Sequence, residues 1–332
     1  MWPVALDVDT SLLRLAPCDF AEGSPVTLLE AQYVCDNAGA CGVRVAYCLS
    51  DGTTNYAWEP HLQLEPVDIP LRGPIAHNAP AEFSAQIFEL GEGGIAIDIA
   101  FTADGHRLAW HARQPRPWSG FDFMAPPAAA IAEPTGLFFP YMREFSFVRQ
   151  PLEFEASFDG IPLIPQKLPF LWGGRRAVSF KAARGSLSVD LMPDGTDCTR
   201  GDDPGADIDS HGRLHAVRRT DGPLPVEIHF TPPLPAVSQL PSRGSRTIAW
   251  SLTVGEDHVM NGTVMLSPGN TGTDMTWSVD KSWSGVKQRG AAWVLTRLIP
   301  FLTRWPRHYS WSGAVHADGS VTGSWINAKP KT

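Results

Sequence analysis

The chain is poor in charge: Asp, Glu, Lys and Arg make up 19% of its 332 residues, below the usual quarter. Positive charge is the scarcer sign, with 27 Lys and Arg against 35 Asp and Glu and a formal net charge of −8. A nucleic-acid partner is therefore not expected, because such binding needs a basic surface that releases counterions. No window of 18 uninterrupted apolar residues exists, so no transmembrane helix is expected. Met1-Trp2-Pro3-Val4 has neither the cationic nor the apolar region of a secretory signal.

Cysteine is also sparse, with five residues and no Cys-x-x-Cys pair, which argues against a structural zinc site. Cys35 and Cys41 are spaced to close a small loop. Three of the five lie in or beside a β-like stretch, where a free Cys packs as a small hydrophobe. The expectation is reduced, buried thiols and a cytoplasmic protein. The phosphate-binding, dinucleotide-binding, Gly-x-Ser-x-Gly and His-Glu-x-x-His signatures are absent as well.

What is present is turn chemistry and apolar bulk. The chain has 30 Gly, 30 Pro and 12 Trp, and 43% of it is hydrophobic. Proline breaks helices and interior strands alike, so it belongs in turns, edges and connections. Many short elements follow, and with them an all-β fold. Period-2 alternation marks strands at Gly42–Leu49, Ala81–Phe88, Ile95–Phe101 and Arg107–Ala112, with Asp104-Gly105 as a hairpin turn. Arg113–Pro140 carries six Pro and reads as a linker or crossing loop. Phe145–Phe158, Arg175–Phe180, Ser186–Leu191, Arg213–Val217 and Val226–Phe230 form a second β set. Arg246–Val254, His258–Leu266 and Thr273–Val279 form a further meander, closed by His308–Val315 and Ser320–Ile326.

Residues 1–125 are thus expected to form a first β unit. Residues 126–240 would hold a linker and central strands, and 241–332 the C-terminal strands with a helix at 287–303. That helix is amphipathic, basic and Trp-bearing. Capping a β unit is its expected role, with weak membrane-surface contact as the alternative.

Candidate chemistry is concentrated in a few places. Phe138–Phe147 sets Tyr141, Arg143 and Glu144 among large apolar groups, with Phe139 beside them. A polar group in such surroundings has a perturbed pKa and is suited to proton transfer. Phe170–Arg176 offers Trp172 beside two Arg, and Trp250 and Trp277 sit in alternating patterns that suit an apolar lining. Tyr141, Arg143, Glu144 and Asp274 are the expected catalytic groups. Trp172, Trp250, Trp277 and Phe139 are the expected substrate contacts. Asp202, Asp203, Asp207 and Asp209 lie in an acidic loop whose spacing fails the EF-hand pattern, since Arg218 stands where a bidentate Glu is needed. No metal is expected, and a solvated loop is the preferred reading.

Ile95–Trp110 is similar to a hairpin of the first barrel, and Trp311–Trp325 to a closing hairpin, of the double lipocalin-type architecture. That group contains the carotenoid 1,2-hydratases and the fungal decalin-forming Diels–Alderases. The likeness is one of layout, spans most of the chain, and carries over no residue role. It implies two lipocalin-like antiparallel barrel or sandwich units, an apolar polyene-like substrate and no cofactor. Asn261–Trp277 followed by the 287–303 helix also resembles the end of a START-type domain, although Pro300 and the strands after it depart from that pattern. The functional expectation is a cofactor-independent enzyme that isomerises, cyclises or hydrates a hydrophobic small molecule such as a polyene, terpenoid or polyketide. The alternatives are a hydrophobic-ligand carrier and a carbohydrate-binding sandwich.

Overall fold

The computed structural model describes the chain except residues 67–70, 92, 116–119, 125–131, 149–151, 173–174, 194–197, 221, 223, 242, 271, 283–304, 317, 319 and 330–332. The side chains of 169–172, 175–177, 281 and 282 also lie outside the description. The helix expected at 287–303 falls outside the described residues. Within them the fold is all-β, with several antiparallel sheets, no helix of seven or more residues and no sheet closed into a barrel. No described helix is long and apolar enough to cross a membrane.

The chain divides into two compact units. One comprises Met1–Thr10, Phe123–Tyr141 and Leu187–Thr332, and the other Ser11–Asp122 and Met142–Ser186.

The second unit contains a five-stranded sheet of β2 (Leu12–Asp19), β3 (Val26–Cys35), β4 (Cys41–Leu49), β5 (Thr54–Trp58) and β6 (Ile75–Pro80), in that order. Its pairs are antiparallel except β5 and β6, which are parallel. A parallel pair needs a long return, and the chain from Glu59 to Pro74 supplies it. A second sheet is built from β7 (Glu82–Gly91), β8 (Gly94–Ala103), β9 (His106–Gln114), β12 (Glu153–Phe158) and β13 (Ile161–Pro162). Two of its turns have both central residues at positive φ, Asp104 (50°) with Gly105 (76°) and Asp159 (50°) with Gly160 (78°). This is the I′ geometry that Asp-Gly favours. The sheets share one core in which Leu29, Val45 and Tyr47 meet Ile97, Phe101 and Trp110. Tyr47 and Phe101 have ring centroids 5.9 Å apart.

The first unit is dominated by an eight-stranded antiparallel meander. It runs β18 (Ala206–Ile208), β19 (Leu214–Arg219), β20 (Val226–Leu234), β21 (Arg246–Val254), β22 (Asp257–Pro268), β23 (Gly272–Ser282), β24 (Tyr309–His316) and β25 (Val321–Asn327). Alternation along each strand sends one set of side chains inward. Trp277, Trp311 and Trp325 stand in direct cross-strand register and form a row of indoles in the core. Gly323 makes room for that row, since a Cβ there would lie 2.3 Å from Trp311 Cζ2. β1 (Leu6–Asp9) pairs with Ser188–Leu191 of β17 (Gly185–Leu191) in the same unit.

Two expectations are corrected. Arg113–Pro140 is not simply a linker: it holds the end of β9, all of β10 (Phe121–Met124) and the start of β11 (Leu137–Phe147). Periodicity failed there because β10 is only four residues long and Pro140 sits inside β11. The thiols are not all reduced, for Cys35 and Cys41 form a disulfide. The β3–β4 register places them directly opposite each other, on one face at the hairpin end. Cys18 and Cys48 are free and buried, and Cys198 is free and half-buried. With that bond, the cysteines no longer point to a reducing compartment.

Candidate functional site

The most unusual chemistry lies on one face of the second unit's first sheet. Along β3, Leu29 and Ala31 enter the core between the sheets. Alternation then turns Leu28, Glu30, Gln32 and Val34 to the opposite face. Register carries this face across the sheet, with Glu30 opposite Ala46 and then Tyr56, and Gln32 opposite Arg44 and then Trp58. It is not a solvent face. Val34, Ala46, Tyr56, Trp58 and Leu62 form their own buried apolar cluster, with Leu12, Leu64 and Ile75 packed against it. Leu62 and Leu64 belong to the return between β5 and β6, so that segment supplies part of the cover.

Glu30 is 8% exposed in this setting. Gln32 Nε2 donates to Glu30 Oε1 at 2.6 Å, and Arg44 Nε donates to Gln32 Oε1. Glu30 Oε2 makes no hydrogen bond among the described residues. Burial pushes the Glu30 carboxyl above its ordinary value, and the Gln32 hydrogen bond and the Arg44 and Lys181 charges only partly oppose that. A single neutral donor is too weak to hold a buried carboxylate charged. Glu30 is therefore a carboxylic acid over a wider pH range than an exposed glutamate.

Asp19 follows the opposite rule. It lies opposite Leu28 on the same face and is 7% exposed. Burial alone would raise its carboxyl. The hydrogen bond from Ser179, the charge and hydrogen bond of Lys181, and Arg72 outweigh burial and hold it below the usual range. The contacts are Ser179 Oγ at 2.5 Å, Arg72 Nη2 at 2.7 Å and Lys181 Nζ at 2.9 Å. Two carboxyls whose environments push them apart are the pattern by which one site runs acid and base chemistry together. The neighbouring groups are quiet by contrast. Burial raises the Cys48 and Cys18 thiols and pushes the Tyr56 phenol up to about 12.

The residues singled out from sequence are dispersed. Phe139, Tyr141, Trp250 and Trp277 share the first unit's core. Tyr141 is 1% exposed and donates through Oη to Asp257 Oδ2. Trp250 Nε1 donates to the Ser278 carbonyl at 3.2 Å, and its ring centroid lies 5.8 Å from that of Trp277. Trp277 Nε1 is buried with no hydrogen-bond partner among the described residues. Asp274 is exposed on β23. Arg143 and Glu144 belong to the second unit. Arg143 is exposed, and Glu144 (φ 48°) pairs with Arg184 at 2.9 Å while its N–H donates to Asp122. Trp172 ends β14 (Lys167–Trp172), and its side chain lies outside the description. Tyr141 with Phe139, Trp250 and Trp277 thus shares one buried core of the first unit, whereas Asp274 of the same unit is exposed.

In the acidic loop, Asp203 is bound to Arg219 and Asp209 to Arg213. Among the described residues no three His, Cys, Asp or Glu side chains converge on a metal position. The first unit has an open groove of about 680 Å³ beside Asp203, Arg218 and Arg219, and the second has one of about 510 Å³ beside Asp98, His111 and Trp110.

Sequence reasoning missed Glu30 because it did not recognise the strand that carries it. The available signal was the row Leu28, Glu30, Gln32, Val34, polar in the middle and apolar at both ends. An Arg sits in the next strand among Ala46 and Cys48.

The fold and this site define an all-β, two-unit protein with a shielded acid on one sheet face. No protein-family model, curated protein or solved structure matches the chain.

Proposed function

We propose that the chain is a cofactor-independent enzyme that transfers a proton from Glu30 to a hydrophobic small molecule, driving isomerisation, cyclisation or hydration. One observation carries the reading: Glu30 is buried beside an apolar cluster, and among the described residues its one side-chain hydrogen bond comes from the Gln32 amide. In this scheme Oε2–H adds its proton to a polarised double bond or carbonyl of the substrate. In isomerisation or cyclisation the proton returns to Glu30 from another substrate position. In hydration the attacking water supplies it. Val34, Ala46, Trp58 and Leu62 offer the apolar wall, and Gln32 holds the carboxyl plane. The lipocalin-type double architecture belongs to the same proposal, as does the polyene, terpenoid or polyketide class of substrate.

The test is incubation with a panel of linear polyenes and unsaturated polyketide chains, followed by product analysis by mass spectrometry. Binding is followed separately with the fluorescent polyene cis-parinaric acid. Wild type should convert at least one compound, more slowly as pH rises through the Glu30 titration. Glu30→Gln should lose roughly 10²-fold or more in turnover and still bind the probe. Binding without any turnover would establish a carrier instead. Turnover unchanged in Glu30→Gln would remove Glu30 from the mechanism.

A further inference from the structure

The second unit has a disulfide that the proposed chemistry does not use, and its position relates it to the Glu30 site. Cys35 ends β3 and Cys41 begins β4, so the bond closes the hairpin tip at residues 36–40. Every hydrogen bond between the segment from Glu59 to Gln63 and the β3–β4 hairpin lands on residues 36–43 among the described residues. The Gln63 N–H donates to Asp36 Oδ2 at 2.9 Å. His61 Nε2 lies 3.4 Å from the Cys41 carbonyl. The Val43 N–H donates to Glu59 Oε2 at 2.6 Å, and the Glu59 N–H donates to the Val43 carbonyl at 3.2 Å. Asp36 is fixed for this task because Oδ1 accepts the N–H groups of Ala38 and Ala40, both at 2.9 Å. Gly42 permits the approach, since a Cβ there would lie 2.4 Å from Glu59 Oε2. The anchored segment places Leu62, 3% exposed, in the apolar cluster beside Glu30.

We propose that the Cys35–Cys41 disulfide is a redox latch that holds the 59–63 segment over the Glu30 site, and that its reduction opens the site. As regulation of that site, this rests on the reading of Glu30 above. Both cysteines are half-buried, so a small dithiol can reach them. One thiolate of the dithiol attacks one sulfur, the Cys35–Cys41 bond breaks, and a mixed disulfide forms. The second thiolate then attacks that bond, leaving two Cys thiols and a cyclic disulfide of the reductant. Two electrons and two protons pass to the protein. Cys18 and Cys48 do not compete, because burial raises both thiols and keeps them protonated. Without the bond, the tip that carries Asp36, Cys41 and Val43 frays and its anchors release together.

The experiment is hydrogen–deuterium exchange on the full chain before and after dithiothreitol, with intact mass confirming two added hydrogens. Amides of 59–64 should exchange at least about tenfold faster after reduction, with β8 and β9 unchanged. The double variant Cys35→Ser/Cys41→Ser should behave like the reduced protein without reductant. Unchanged exchange at 59–64 in fully reduced protein would overturn the latch. So would faster exchange throughout the unit, which would make the bond a general staple. Glu30→Gln should keep the redox response. If the response survives while no substrate turns over, the latch stands and the enzymatic reading fails.

Discussion

The two units solve the problem of a buried interior with different chemistry. The first fills it with rings: Phe139, Tyr141, Phe230, Trp250, Trp277, Trp305, Trp311 and Trp325 lie in one core. The second has an apolar core of its own but also buries carboxyl groups, with Asp19, Glu30 and Glu59 each under 10% exposed on or beside one sheet. An aromatic core is stabilised by area and shape, and neither depends on pH. A shielded carboxyl ties stability to protonation, and that coupling is what proton-transfer chemistry requires.

The contrast can be broken at several points. Trp277→Ala should have the largest effect, about 3–5 kcal/mol, read by urea unfolding at two pH values and equal at both. A pH-dependent loss would show that the first unit's core is not purely apolar. Asp19→Asn should cost about 3 kcal/mol near neutral pH, because Lys181 and Arg72 lose their counter-charge. Both cations are partly exposed, which keeps the figure at the lower end. Asp19 is held below its unfolded value. Its contribution is therefore full above the ordinary carboxylate range and is lost as pH falls through the lowered folded value. Equal costs of Asp19→Asn at neutral and strongly acid pH would contradict that assignment. Gly42→Ala should cost about 1–3 kcal/mol by crowding Glu59 Oε2. Thermal unfolding would report the loss, and faster amide exchange at 59–63 would localise it.

Much of the β architecture was legible because its strands are half-buried and alternate. Ile95–Phe101, Arg107–Ala112 and Arg246–Val254 lie within β8, β9 and β21, and Asp104-Gly105 forms the expected turn. Phe145–Phe158, read as one stretch, contains the end of β11 and all of β12. β3 escaped notice because both of its faces are buried, which blurs the alternation. The aromatic neighbourhood of Tyr141, Trp250 and Trp277 was legible from bulk alone. Glu30 was not, because a Glu within a strand reads as solvent-facing. Its sheet face is buried in part by Leu62 and Leu64, more than thirty positions away, which pack with Val34, Ala46, Tyr56 and Trp58 from a connection with no periodicity of its own.

The proposed proton transfer depends most directly on the protonation state of Glu30. Its titration can be followed by carboxyl ¹³C NMR, with Glu30→Gln assigning the resonance. Because the folded value is raised above the unfolded one, the folded state holds the extra proton, and stability should fall as pH rises between the two values. Glu30→Gln should remove that slope. The expected result is a midpoint clearly above the ordinary glutamate value of about 4.3. A midpoint at or below it would mean that Glu30 is an ordinary carboxylate, and the proposed proton donor would be lost.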